Sequence, residues 1–193
     1  MKCLTFISVA LLLIITTTSS YAQESSSTEG KCNLSIGDTH AGGIVFYLDA
    51  SGCHGLVCMS IDQSAGIKWS NDKSIDTYAY GNGIGSGTGN ASAIGRWQGG
   101  CDGCYAARIC YNVMLNGFND WYLPSKYELN LMRENIGQGN ALGLGNIGNF
   151  SSGTYWSSTE HSNVVSWYQN FATGFADGDL KTKQFSVRAV RAF

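Results

Sequence analysis

The chain has 193 residues, of which 13% are charged and 12% aromatic, and its formal net charge at pH 7 is −2. So small and slightly negative a charge gives no electrostatic basis for binding nucleic acid or an anionic membrane. The aromatic content favours a packed core over disorder, and with so few charged residues the surface must be rich in Gly, Asn, Ser and Thr.

The N-terminus has the features of a secretory signal peptide. Lys2 precedes an apolar run over residues 4–15, and Ser20 and Ala22 fit a signal-peptidase site before Gln23. The run is shorter than the roughly 20 residues that a membrane-spanning helix needs, so we expect no membrane insertion. The sequence therefore predicts a signal peptide over 1–22, a flexible lead-in over 23–35 and one domain over 36–193. We expect a secreted protein, located outside the cell or at its surface.

Export favours disulfide bonds, and six cysteines remain after Cys3 leaves with the signal peptide: Cys32, Cys53, Cys58, Cys101, Cys104 and Cys110. The sequence alone does not determine their pairing; we predict that the close pairs Cys53–Cys58 and Cys101–Cys104 each close their own loop. Cys101-Asp-Gly-Cys104 also has the spacing of a redox motif or of half a zinc site. Because neither a βαβ unit nor a second pair of that spacing accompanies it, a structural disulfide is favoured.

The first predicted element is a β-hairpin, with Ile44–Leu48 and Leu56–Met59 as its strands. Trp69 is expected on a further short strand or in a packed loop. Residues 81–92 alternate glycine with small polar residues, which predicts an irregular loop or a hairpin tip. They lack the G-x-G-x-x-G register of a nucleotide-binding loop, so phosphate binding is not predicted. Apolar positions at helical spacing predict an amphipathic helix over 105–115.

Residues 116–129 predict a junction between two helices. Asn116-Gly117 suits the end of the first helix, and Pro124 forces Leu123 into an extended conformation. Ser125 and Glu128 have the spacing of a capping box, which starts a second helix at Lys126 that runs to about Ile136. Trp121 lies in the short apolar segment between the helices and is expected to pack inside.

The last third of the chain predicts strands over 155–159, 164–171 and 184–192, with a turn at Asp177-Gly178-Asp179. Strands flanking a pair of helices without a βαβ rhythm indicate an α+β fold. Trp156 and Trp167 are predicted in the core, whereas Tyr168 and Asn170 share the opposite face of their strand and are expected to be exposed. Arg188 and Arg191 are predicted to anchor buried carboxylates, with Glu128 and Glu160 as candidates, or else to bind an anionic ligand such as a sulfated glycan.

These segments together resemble the C-terminal domain of bacterial collagen-like adhesins, an exported module of largely unassigned function. The resemblance covers about residues 36–193 and rests on residues 42–47, 54–57, 106–107, 116–125, 128–129, 155–160, 167–171 and 187–191. Trp121-x-Leu-Pro-Ser-x-x-Glu128 and the terminal Val-Arg pair are similar, at greater distance, to the C-type lectin-like fold of formylglycine-generating enzymes and phage receptor-binding proteins. The resemblance implies two helices packed on antiparallel strands with long Gly/Asn-rich loops. A collagen-like Gly-X-Y segment is absent from this sequence.

These features predict a non-enzymatic binding module that recognises a glycan or a surface protein through loops on a rigid scaffold. The candidate ligand-binding residues lie on or beside the loops at 160–163 and 172–183: His161, Asn163, Tyr168, Asn170, Asp177, Asp179, Lys181 and Lys183. A structural role in the cell envelope or extracellular matrix is the alternative, and the oligomeric state stays open.

Two kinds of chemistry are less favoured. A hydrolase built on Ser157, Ser158 and His161 would need a nucleophile elbow, and no strand–turn–helix pattern supplies one. Asp177 and Asp179 could bind calcium, but they lack the further ligands of an EF-hand loop, so no cofactor is expected.

Overall fold

The structure, a computed structural model, describes residues 32–101 and 103–193. The predicted signal peptide and most of the lead-in lie outside this part of the chain. The strands are β1 (Thr39–His40), β2 (Gly43–Leu48), β3 (Gly55–Cys58), β4 (Ser64–Lys68), β5 (Thr154–Glu160), β6 (Val165–Asn170), β7 (Ala176–Leu180), β8 (Gln184–Val187) and β9 (Val190–Ala192), and the helices are α1 (Ser86–Gln98), α2 (Ala106–Tyr111) and α3 (Lys126–Ile136).

The strands form two sheets, one of four strands in the order β1-β2-β3-β9 and one of five in the order β4-β8-β5-β6-β7. Every pairing is antiparallel except that of β5 with β8, where Tyr155 lies opposite Ser186. The described chain is therefore mostly β, with three short helices. The predicted α+β, C-type lectin-like fold of two helices on antiparallel strands is wrong, because the two sheets dominate the architecture.

The last predicted strand, over 184–192, is divided between the sheets. Residues up to Val187 form β8 in the larger sheet, and Val190 begins β9 in the smaller one. Arg188 occupies the step between them, where its buried guanidinium donates to Asp62 and to the carbonyls of Met59 and Gly148. A strand that changes sheets in this way joins the two layers into one core.

The core contains two apolar clusters. One surrounds Trp69, Trp121 and Trp156, and the other includes Leu129 and Met132 of α3. Trp121 and Trp156 are buried as predicted. Trp167 is only half-buried, and its prediction as a core residue is therefore wrong.

The helix predictions had mixed outcomes. Helix α3 begins with the predicted capping box, in which Ser125 Oγ accepts from the Glu128 amide and the Glu128 carboxylate accepts from the Ser125 amide at 2.7 Å. Helix α2 ends at Tyr111, four residues before the predicted limit. Asn116 and Gly117 both have positive φ and form a tight hairpin turn between Leu115 and Phe118. The Asn-Gly pair is therefore a type I′ hairpin signal and not a helix stop.

The glycine-rich segment is where the helix α1 begins. The prediction of a loop over 81–92 is wrong from Ser86 onward. Gly87 explains the difference, because a Cβ there would lie 2.5 Å from Glu128 Oε2 and 2.6 Å from Tyr122 Cε2. The absence of a side chain lets α1 pack closely against the segment that leads into α3, and this tertiary contact overrides a poor helix propensity.

The disulfides are Cys32–Cys53 and Cys101–Cys104. The second pair was predicted, whereas the predicted Cys53–Cys58 pair is wrong. Cys58 lies on β3 inside a core cluster, and it and Cys110 are buried free thiols. Burial raises the pKa of the Cys58 thiol to about 12 and also raises that of Cys110, so both behave as small apolar side chains.

The two C-terminal arginines bind aspartates. Arg188 pairs with Asp62, and Arg191 makes a bidentate pair with Asp120 at 2.7 and 2.9 Å. Each arginine pairs with a carboxylate, but neither carboxylate is buried as predicted, and the predicted partners Glu128 and Glu160 are wrong. Those two carboxylates are used elsewhere, in the α3 capping box and in a pair with Lys181.

Candidate functional site

The predicted ligand-binding residues on β6 and β7 are divided between the two faces of the larger sheet. Tyr168 lies opposite Asp177, and Ser166 lies opposite Asp179, so Tyr168, Asp177 and Asp179 share one face. Tyr168 is half-buried there, with its ring 5.1 Å from that of Phe185. Burial, and then the two carboxylates, raise the pKa of its hydroxyl. Asn170 is also half-buried, and its side chain accepts from the Thr173 amide to close the next turn.

His161 and Trp167 occupy the opposite face. Their ring centroids are 5.4 Å apart, and the Lys126 ammonium lies 3.3 Å from the centroid of the Trp167 ring. Asn163 and Lys183 are exposed in the neighbouring loops. One small ligand would contact only one face, so the structure does not bring the predicted residues together into a single site.

Lys181 is not available at the surface. It is 2% exposed, and its ammonium donates to the carboxylate of Glu160 and to the carbonyls of Ile75 and Asn163. The prediction of Lys181 as a ligand-binding residue is therefore wrong, because its charge is neutralised inside the protein.

The residues considered for metal and hydrolytic chemistry have other contacts. Asp177 and Asp179 lie on β7 and not in a turn, and each accepts from the amide of the next residue. In the part of the chain that the structure describes, no three His, Cys, Asp or Glu side chains are grouped to hold a metal ion. Ser157 and Ser158 are buried, with Ser157 bonded to the Trp167 carbonyl and Ser158 to Asn90, while His161 is exposed.

A group of exposed aromatic residues lies on another part of the surface. We call Tyr78, Tyr80 and Trp97 the aromatic platform; their side chains are 64%, 48% and 45% exposed. The Tyr78 ring lies 6.4 Å from that of Tyr80 and 5.9 Å from that of Trp97. Large aromatic side chains are usually buried at least on one face, so three neighbouring exposed rings indicate a contact surface.

The loop that carries the two tyrosines is held from below by a buried carboxylate. Glu160 Oε2 accepts from the Thr77 amide at 2.8 Å, from the Thr77 hydroxyl at 2.9 Å and from the Ala79 amide at 3.4 Å. Thr77 and Ala79 are fully buried, so the residues that alternate with them face outward. The ammonium of Lys181 completes the arrangement, 4.6 Å from the Trp69 ring centroid.

Tyr78 itself has a φ of +60°, which is rare for a bulky side chain. Such backbone conformations cost about 1–3 kcal/mol and persist where surrounding contacts hold them, which is common at functional sites. Here the contacts are those to Glu160 and the bond from the Tyr78 amide to Asp76. The backbone around Tyr78 is therefore held in place by contacts within the protein.

Asp76 also accepts a hydrogen bond from the Tyr80 hydroxyl. This bond lowers the pKa of the Asp76 carboxyl and raises that of Tyr80 to about 12. Both groups consequently keep their ordinary charge states at neutral pH, with Tyr80 oriented by an ionised carboxylate.

None of the three platform residues was identified from the sequence. The alternation in Thr77-Tyr78-Ala79-Tyr80 is a signal that could have found the tyrosines, because it places alternate residues on opposite sides. Trp97 could not be added in this way, since it joins them only through α1, whose first half lies in the segment predicted as a loop.

The fold and the platform together define a β-rich domain with a group of neighbouring exposed aromatic side chains. The chain belongs to the Lcl C-terminal domain family, whose model matches residues 59–191. This match does not confirm the resemblance to collagen-like adhesins.

The structure is also similar to that of a fimbrial protein from Bacteroides ovatus, with a TM-score of 0.51 and 15% sequence identity. The match covers 81% of this chain and 48% of the fimbrial protein, so this chain spans about half the length of that protein. No curated protein with a similar sequence was found. The similarity agrees with the two-sheet architecture and not with the predicted C-type lectin-like fold.

Proposed function

We propose that this protein is an exported, non-enzymatic adhesion module that recognises a glycan through the aromatic platform. The observation that carries the proposal is the exposure of Tyr78, Tyr80 and Trp97 on a loop held by the buried Glu160 carboxylate. The flat apolar faces of sugar rings pack on aromatic side chains, while hydroxyls bond to the polar groups around them. A loop already held by contacts within the protein binds without a large cost of ordering.

The surroundings of the platform support a polar ligand. Ser92 and Arg96 lie with Tyr78 and Trp97 along a surface groove. No helix in the described ranges has the length and apolarity needed to cross a bilayer. Membership of the Lcl C-terminal domain family and the similarity to a fimbrial protein support a role at the cell surface.

Glycan-array screening of the full chain, followed by calorimetric titration of the best saccharide, tests the proposal. An aromatic contact contributes about 0.5–1.5 kcal/mol beyond its buried area, and 1.4 kcal/mol corresponds to about tenfold in affinity. We therefore expect Trp97→Ala to weaken binding by about tenfold or more. Phe175→Ala is the matched control, because Phe175 is a 58% exposed ring outside the platform.

An array without any bound saccharide, or a Trp97→Ala variant with unchanged affinity, would refute the proposal. Titration in calcium and in chelator tests whether Asp177 and Asp179 contribute, and we expect the same affinity in both. If Tyr168→Ala abolishes binding and Trp97→Ala does not, the binding site lies instead on the face of β6 and β7 that carries Tyr168.

The similarity to a fimbrial protein favours one further candidate, a structural component of a surface assembly. The protein would then form oligomers or fibres without a soluble ligand. Sedimentation of the full chain over a range of concentrations separates the two functions, since the glycan-binding proposal does not require assembly.

A further inference from the structure

The strand β7 forms an outer edge of the larger sheet, and in the described part of the chain it pairs only with β6. The Asn170 amide donates to the Phe175 carbonyl, and beyond the other end of β7 the Lys181 amide donates to the carbonyl of Val164. The odd-numbered residues of this segment therefore bond to β6, and the even-numbered ones point away from the sheet. The outward peptide groups are those of Ala176, Gly178 and Leu180.

The other sheet edges of the described chain are shorter or already in use. β1 has two residues and β9 has three. On β4, the carbonyl of Ala65 accepts from the Ser186 hydroxyl, and the carbonyl of Ile67 accepts from the Trp156 indole. The edge of β7 is therefore the one best suited to pair with a further extended chain.

Two carboxylates occupy amide donors of the β7 edge. Asp177 Oδ1 accepts from the Gly178 amide at 2.8 Å, and Asp179 Oδ1 accepts from the Leu180 amide at 2.7 Å. Each of these bonds joins neighbouring residues at the surface, so a carbonyl of an incoming strand can replace the carboxylate with little net change in hydrogen-bond energy. The displaced carboxylates are then free to pair with cations on the incoming strand.

The same carboxylates oppose pairing of β7 with the β7 of a second copy. An antiparallel pair centred on Gly178 would place Asp177 of each copy opposite Asp179 of the other. Like charges directly opposite one another destabilise a strand pair, and charged side chains on edge strands commonly prevent sheets from joining. The edge therefore discriminates against itself and favours a strand with positive charges at these positions.

The side chains on the other face of this edge are more apolar. Leu180 is 49% exposed and lies opposite Val165 of β6, and the next pair along this face contains the half-buried Trp167. Because successive side chains of a strand point to opposite faces, an incoming strand would present apolar residues on this face and basic residues beside Asp177 and Asp179. The edge thus specifies an alternating pattern in its partner.

We propose that β7 binds an extended segment of another protein in which basic and apolar side chains alternate. The segment adds antiparallel to β7, its carbonyls accept from the Gly178 and Leu180 amides, and its lysines or arginines pair with Asp177 and Asp179. These charged pairs occupy positions without mutual backbone bonds, where opposite Cα atoms are only about 4.5 Å apart. The inference goes beyond the proposed function, since it involves neither the aromatic platform nor a glycan.

NMR titration of the full chain with the peptide Thr-Lys-Val-Lys-Val-Lys-Thr tests the proposal, with Thr-Glu-Val-Glu-Val-Glu-Thr as the matched peptide. We expect the Gly178 and Leu180 amide resonances to shift and saturate, and the lysine peptide to bind at least about fivefold more tightly than the glutamate peptide. Asp177→Asn combined with Asp179→Asn should remove this preference. Asp72→Asn is the control and should preserve it, because Asp72 is an exposed aspartate that pairs with Lys68 away from β7.

Backbone methylation of the peptide separates strand addition from charge attraction alone and requires no variant of the protein. In the proposed antiparallel register the valine amides face β7 and the lysine amides face away from it. Methylating the valine backbone nitrogens should therefore abolish binding, whereas methylating the lysine backbone nitrogens should preserve it.

Unmoved Gly178 and Leu180 resonances, equal binding of the lysine and glutamate peptides, or equal effects of the two methylations would each overturn the inference. A wild-type dimer in sedimentation, with these two amides protected from hydrogen exchange, would also overturn it by assigning the edge to a second copy. Trp97→Ala should leave peptide binding unchanged, so the result is independent of whether the platform binds a glycan.

Discussion

The platform loop depends on the buried pair of Lys181 and Glu160, so replacing Lys181 by Met should loosen it. The Lys181 and Glu160 side chains are 3% and 0% exposed, respectively. Burial lowers the pKa of Lys181, and its hydrogen bond to Glu160 opposes that effect. Loss of the ammonium would leave the Glu160 carboxylate without its counter-charge.

The cost follows from what remains around the carboxylate. Removing one partner of a buried ion pair typically costs about 3–5 kcal/mol. Glu160 keeps its bonds from Thr77 and Ala79, which hold part of the charge, so we expect a loss near the lower end, about 3 kcal/mol. For a domain of this size that corresponds to a fall in Tm of roughly 6–12 °C.

Urea and thermal unfolding followed by circular dichroism measure the loss in a double-mutant cycle of Lys181→Met, Glu160→Gln and both together. The double variant should be more stable than the sum of the single losses predicts, because it leaves no unpaired charge. Lys183→Met is the control, since that exposed lysine should change stability by less than about 0.5 kcal/mol. A Lys181→Met loss below about 1 kcal/mol, or strict additivity in the cycle, would refute this account of the pair.

Two further predictions concern the junction between α1 and α3. Gly87→Ala should destabilise the protein by about 1–3 kcal/mol through overpacking against Glu128 and Tyr122, whereas Gly89→Ala, in open space on the same helix, should stabilise it by up to about 1 kcal/mol. If both substitutions change the free energy of unfolding in urea by the same amount, Gly87 does not make the close contact described. Burial raises the pKa of the Glu128 carboxyl above 4.5, so its contribution to stability is present below that pH and is lost as the pH rises through the folded value. The unfolding free energy of the wild type minus that of Glu128→Gln should therefore fall as the pH rises from about 4.5; a flat difference would show that Glu128 titrates alike in both states.

Local chemistry in the sequence was sufficient for several elements. The capping box of Ser125 and Glu128 and the hairpin of β2 and β3 formed as predicted, because each depends on residues within a few positions of one another. Asn116-Gly117 was recognised as a chain reversal, but the sequence did not show whether it ended a helix or joined two extended segments. That choice was made by the pairing of Leu115 with Phe118.

The candidate site was not predictable in the same way. Glycines over 81–92 lower helix propensity, and tertiary contacts such as the close packing of Gly87 on Glu128 are what hold α1 there. Trp97 meets Tyr78 only because that helix exists. The local sequence pattern could not predict that Tyr78 and Trp97, which are 19 positions apart, lie beside each other.

By itself the sequence determined the cap of α3 and most strands of this protein, since short-range sterics and hydrogen bonding decide them. Only the tertiary structure decided which carboxylate each buried cation meets: Asp62 for Arg188, Asp120 for Arg191 and Glu160 for Lys181. A buried charge must find its counter-charge wherever the packed sheets and helices bring one within reach, and that distance is a property of the whole fold.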